Sequence, residues 1–140
     1  MKYHFYRPGL EKYGPDQWLW DSCFHMIAWS RLNVSNSILD LRTMLQKQVR
    51  KDGRIPAMIY WGKQSRGSTI ANKLLLSDTS QTDITQMPMT PIALKRIYEA
   101  TNKDKKILEE FLVKLIEYHG WWAHERQPDH DGLVVVIHPW

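Results

Sequence analysis

A chain of 140 residues with 43% apolar and 24% charged residues has the size and proportions of one folded domain, which excludes a disordered or low-complexity protein. Nineteen basic against fifteen acidic residues leave +4, spread along the chain instead of concentrated in the stripe a nucleic-acid groove needs. No stretch approaches the roughly 20 apolar residues of a membrane span, and the lone Cys23 cannot form an internal disulfide, so a cytoplasmic protein with a packing thiol is expected.

In chain order, Pro15 and Asp16 form the first start signal, with Asp16 as the expected N-cap of a helix over 17–32. Leu19, Trp20, Cys23, Phe24, Met26 and Ile27 fall on one broad arc of it, a core stripe. Trp18, Asp21, His25 and Trp29 fall on the other. A helix aromatic or apolar nearly all round is buried on both sides. The second face is therefore expected to line an interior space.

Ser35 or Asn36 is expected to cap a one-sided surface helix reaching about residue 50, buried through Ile38, Leu41, Leu45 and Val49. Residues 51–86 show little helical period and include RIPAMIYWG and a Ser/Thr/Gly-rich stretch. So long an irregular segment inside a domain points to function, with Tyr60 and Trp61 at its centre. Thr90 and Pro91 are an N-cap and N1 pair for a helix to about Thr101, on Leu94, Ile97 and Tyr98. A further helix from about Lys103 is predicted to bury Leu108, Phe111, Leu112, Leu115 and either Tyr118 or His119, with Gly120 interrupting or ending it. LVVVIHPW, 133–140, reads as strand.

Six histidines form no HExxH pair, and His119 and His124 are five apart, off the spacing that aligns two ligands on a helix. No metal site is expected. Cys23 and His25 point away from each other on a helix, so they are no nucleophile and base. Asp21 beside two tryptophans is different: a carboxylate accepts hydrogen bonds from vicinal sugar hydroxyls while an indole face meets the ring's C–H groups. The plain alternative is a satisfied buried acid bonded to His25 or to backbone.

YGPDQWLWDSCFHMIAW, DGRIPAMIYW, TQMPMTPIALKRIYEAT, FLVKLIEYHGWW and DGLVVVIHPW follow one another over nearly all of 13–140. In this order and spacing they resemble the mannosylglycerate and glucosylglycerate hydrolases, bacterial relatives of glycoside hydrolase family 63. The resemblance implies a mainly α chain, part of an (α/α)6 barrel of helical hairpins with long irregular loops. It also implies that 1–140 is an N-terminal fragment of a single catalytic domain. It assigns Trp18, Trp20, Asp21, Tyr60, Gln86 and Trp140 to binding a small glycoside or oligosaccharide, without a cofactor. Asp16 departs from the family, in which many relatives carry an aromatic residue just before the Gln-Trp pair. The general acid and general base of an inverting glycosidase are expected after HPW, so no catalytic residue is assigned within 1–140 and the missing remainder of the barrel, or self-association, would complete the molecule. The alternative reading is a non-catalytic helical module that binds carbohydrate or protein.

Overall fold

A computed structural model describes residues 4–7, 9, 16–48, 52–61, 81–82, 84–127 and 129–134. In these residues a short strand β1 (Asp16–Trp18) runs directly into helix α1 (Leu19–Leu32), followed by α2 (Val34–Gln48), strand β2 (Met58–Tyr60), α3 (Thr90–Ala100) and α4 (Lys105–Glu125). The mainly α expectation holds.

Helix α1 is the centre of the bundle, touching both α2 and α3, while α3 touches α4. Only Phe24, Ala28, Arg31 and Leu32 along α1 are exposed. The two-sided expectation is not met: the exposed residues form one stripe opposite the buried one, and Asp21, His25 and Trp29 are half-buried. Leu19, Ser22, Cys23, Met26 and Ser30 make the buried stripe, whereas Trp20 is half-buried and Phe24 is 46% exposed. Serines at the α1–α2 contact let the helices approach closely, and Ser37 Oγ donates to the Met26 carbonyl at 2.8 Å across it.

The helix start differs too. Asp16 is not the N-cap: Asp16–Trp18 is extended, and Trp18 holds the cap position without a side-chain cap bond. The extended residues pair antiparallel with β2, Asp16 opposite Tyr60, Gln17 opposite Ile59 and Trp18 opposite Met58. This ladder gives the main-chain groups of 16–18 partners that a helix would otherwise supply.

Helix α2 starts earlier than expected, after Asn33, whose Oδ1 accepts from the Ser35 N–H at 3.2 Å. Its buried residues are Ser37, Asp40, Leu41, Thr43, Met44 and Leu45. The expected stripe contributes Leu41 and Leu45; Ile38 is half-buried and Val49 lies outside the described residues. The segment 53–60 is buried throughout and ends in β2. Gly53, at φ +78°, opens it, and a Cβ there would lie 2.9 Å from the main chain of Glu117 on α4. A residue with no side chain is required by both the backbone angle and the close approach.

Pro91 lies at the start of α3 as predicted, although Met89 and not Thr90 holds the cap position. Asp104 caps α4, its carboxylate accepting from the Lys106 N–H at 3.0 Å. Gly120 does not end α4, which continues to Glu125; Trp121 stacks on Tyr118 with ring centroids 6.5 Å apart. Of the expected α4 core, Phe111, Leu115 and Tyr118 are buried, Leu108 is half-buried, and Leu112 and His119 are exposed. Leu133 and Val134 are not in a strand, and the remainder of LVVVIHPW lies outside the described residues.

Candidate functional site

Trp18, Trp20, Asp21, Tyr60 and Gln86 come from three parts of the sequence and meet around the start of α1. Leu19 and Trp20 open that helix, and neither finds a hydrogen-bond acceptor in a local capping side chain. The Leu19 N–H donates to the Ala57 carbonyl at 3.0 Å, and the Trp20 N–H to Gln86 Oε1 at 2.9 Å. Gln86 thus serves as a cap from 66 residues away. The segment before α3 is thereby fixed to the turn that carries Asp21.

Gln86 is itself held from behind. Its carbonyl accepts from the Tyr118 hydroxyl at 2.8 Å, and Tyr118 also lies 2.7 Å from Thr85 Oγ1, which donates to the Ile55 carbonyl at 2.6 Å. Burial pushes the Tyr118 phenol up to about 12, which keeps it a neutral hydroxyl with a proton to give.

On the β side, Trp18 packs against Met58 and Tyr60. Tyr60 is buried, and burial with the nearby Asp16 charge raises its phenol to about 12. Trp18, Trp20, Asp21 and Gln86 are half-buried, so each presents part of its surface to solvent. Trp20 leans on the exposed Phe24 with ring centroids 5.8 Å apart. Trp140, the sixth expected residue, lies outside the described residues.

The predicted second face of α1 divides. Trp18 belongs to the strand, while His25 and Trp29 meet Tyr6 of the N-terminal segment, Trp29 by stacking at 4.9 Å and His25 edge-on at 6.1 Å. Burial lowers the pKa of His25, opposed by the Asp21 charge.

Behind β1 stands a group that sequence periodicity missed. Gln17 is 1% exposed and donates through Nε2 to Asp40 Oδ1 at 2.7 Å and to the Asp40 carbonyl at 3.3 Å. Its Oε1 accepts from the Trp61 indole at 3.0 Å. Asp40 is fully buried, and burial raises its carboxyl to about 8 against the favourable hydrogen bond from Gln17. Gln17 and Trp61 stand inside two of the quoted motifs, DQWLW and IYW; Asp40 carries no sequence signal beyond its place on the polar side of a helix.

Among the described residues no three His, Cys, Asp or Glu side chains are grouped to hold a metal ion, and no helix is long and apolar enough to cross a membrane.

The model of the mannosylglycerate hydrolase MGH1-like glycoside hydrolase domain matches residues 14–140. The chain belongs to this family. It is 29% identical over 133 residues to a mannosylglycerate hydrolase of Thermus thermophilus, a match spanning 90% of this chain and 32% of the relative. The crystal structure of a GH63 mannosylglycerate hydrolase from Thermus thermophilus in complex with Tris and D-glycerate is similar with a TM-score of 0.77 at 25% identity, over 90% of this chain and 31% of that one. A GH63 mannosylglycerate hydrolase of the same organism in complex with glucose is similar with a TM-score of 0.75 at 27% identity, over 97% and 35%. The fold is therefore part of the α/α barrel of these glycosidases. The chain spans about a third of the length of the curated relatives it matches.

Proposed function

We propose that this chain furnishes part of the sugar-binding wall of an inverting α-glycoside hydrolase whose substrate is a glycosylglycerate or a similar small α-glucoside or α-mannoside. The observation that carries the reading is the Trp20–Gln86 hydrogen bond, which brings two motifs together beside Asp21. Half-buried Trp18 and Trp20 offer indole faces to a pyranose ring, and Asp21 offers a carboxylate to its hydroxyls. The ligands named for the similar crystal structures, D-glycerate, Tris and glucose, are all small polyhydroxylated molecules, which supports the assignment.

Inversion needs two carboxyl groups roughly 6.5 to 9.5 Å apart, one to protonate the leaving oxygen and one to activate water. Asp21 is assigned to binding, so the proposal places the acid and base in the part of such an enzyme that follows this third. The 140-residue chain is expected to bind without turning over mannosylglycerate.

The test is titration of the chain with D-glucose and D-glycerate, followed by tryptophan fluorescence, beside an assay for release of glycerate. Saturable quenching that Asp21→Ala weakens supports the wall. Turnover that depends on an acidic residue within 1–140 refutes the division of labour, and no binding of either probe refutes the wall.

A second reading, a helical module that binds protein, is favoured by an apolar cleft of about 440 Å³ between α3 and α4, lined among others by Leu94, Tyr98, Leu112 and Ile116. Absence of sugar binding together with a stable helical complex at this cleft would decide for it.

A further inference from the structure

The Gln17 side chain joins three elements. It extends from β1, donates to Asp40 on α2, and accepts from Trp61, the residue following β2. Both of its polar atoms are used, and Asp40 holds it from the main chain as well as from the carboxylate. A buried amide gains from these bonds only in one orientation, since turning the amide over would set N–H against N–H at Trp61 and oxygen against oxygen at the Asp40 main-chain carbonyl. The bonds therefore fix direction as well as proximity.

The flanking residues show what is being directed. Trp18 follows Gln17 on β1, and Tyr60 precedes Trp61 at the end of β2, so each arm of the bond system adjoins an aromatic residue of the wall. Neighbouring strand residues point to opposite sides. With Gln17 fixed toward α2, Trp18 is fixed toward Met58 and Tyr60.

We infer that Asp40, acting through Gln17 and the Trp61 indole, is a positioning residue that sets the geometry of the Trp18–Tyr60 part of the sugar-binding wall. Asp40 touches no sugar in this arrangement. The inference rests on the proposed sugar-binding function for its effect on ligand, but its first link, from Asp40 to the Trp61 indole, can be read without ligand.

The groups facing Asp40 are Gln17 from β1, Ser22 and the Cys23 thiol from α1, and Tyr6 from the N-terminal segment. Burial, with the Asp40 charge second, keeps both the Cys23 thiol and the Tyr6 phenol neutral, raising the pKa of each. Asp40 is the acceptor that Gln17 Nε2 uses, and an amide oxygen in its place can accept the same bond.

The experiment uses the 140-residue chain with ¹⁵N-labelled tryptophan, reading the Trp61 indole resonance and the affinities for D-glucose and D-glycerate. Asp40→Leu fills the site without an acceptor; it should shift the Trp61 resonance toward that of a solvated indole and weaken binding about tenfold, the effect of losing one oriented hydrogen bond. Asp40→Asn should restore both the resonance and the affinity. Trp61→Phe, which removes the indole donor at the end of this chain of bonds and keeps an aromatic ring, should weaken binding to a similar degree and serves if Asp40→Leu fails to fold. An unmoved Trp61 resonance in Asp40→Leu, or wild-type affinity in Trp61→Phe, overturns the positioning role. If the unaltered chain binds neither probe, the sugar-wall reading fails, and the Trp61 resonance alone then decides whether Asp40 orients the indole.

Discussion

Tyr118 on α4 and Thr85, 33 residues earlier, lie with their hydroxyl oxygens 2.7 Å apart, and together they fasten the segment before α3 to the core. Thr85 donates to the Ile55 carbonyl and Tyr118 to the Gln86 carbonyl, so this pair ties the segment before α3 to the buried segment 53–60 and to α4. Tyr118→Phe removes the closer donor to the Gln86 carbonyl, leaving Thr85 Oγ1 at 3.4 Å. A loss of about 1 to 3 kcal/mol is expected, measurable as a lower urea midpoint at unchanged slope.

Asp21 separates affinity from stability. Its side chain is half-buried on the first turn of α1, where a negative charge is also favoured by the helix dipole. Asp21→Ala should weaken D-glucose binding by about 1 to 3 kcal/mol while costing less than about 1 kcal/mol of folding free energy. Normal binding with a much lower melting temperature would instead make Asp21 a structural acid.

Asp40 gives a pH dependence of unusual sign for a carboxylate. Its ordinary value is 3.8 and burial raises it to about 8 in the folded chain, so between these values the folded state holds a proton that the unfolded state releases. Its contribution to stability is present in full below the unfolded pKa and is lost as pH rises through the folded one. The slope reaches at most about 1.4 kcal/mol per pH unit. Exposed Glu110, whose pKa is lowered by its hydrogen bond to Arg42, acts in the opposite sense at lower pH. The difference in stability between wild type and Asp40→Asn isolates the Asp40 contribution. That difference should fall steadily from about pH 5 to pH 8, and a flat difference curve would mean Asp40 is charged throughout.

Gly53→Ala tests the close approach of the buried segment 53–60 to α4. Positive φ alone costs a non-glycine residue on the order of 1 kcal/mol, and the new methyl would meet the Glu117 carbonyl at 2.9 Å, inside normal contact. The loss should exceed about 2 kcal/mol. Gly120→Ala is the control: nothing lies within 4 Å of a Cβ there, and a helix-interior glycine is replaced, so it should stabilise by up to about 1 kcal/mol. Urea melts of the two variants check both signs.

Helices such as α3 and α4 were legible because their apolar period and punctuation belong to the same local stretch: Pro91 before Leu94 and Ile97, for instance, or the polar turn before Ile107 and Phe111. Strand β1 was not. The residues of DQW continue the helical spacing of LWDSCF backward without a break, and what makes them extended is the distant partner strand at Met58–Tyr60, which no local pattern contains. Gly120 misled in the other direction, since stacking of Trp121 on Tyr118 holds the helix through it. The candidate wall was legible only as motifs in order. That Gln86 reaches the first turn of α1 is a fact of tertiary structure, and Asp40 carried no local signal because the residue that bonds it, Gln17, comes from another element 23 residues away.

The opening turn of α1 contains no start signal of its own. Its first two N–H groups are satisfied by a carbonyl at 57 and a side chain at 86, so the start at Leu19 depends on both of those segments being in place. A nascent helix would otherwise fray there or run backward into the DQW residues. The turn that carries Trp20 and Asp21 is thus held from two distant stretches of chain, and a change that loosens either of them loosens the candidate wall as well, without touching a residue of α1.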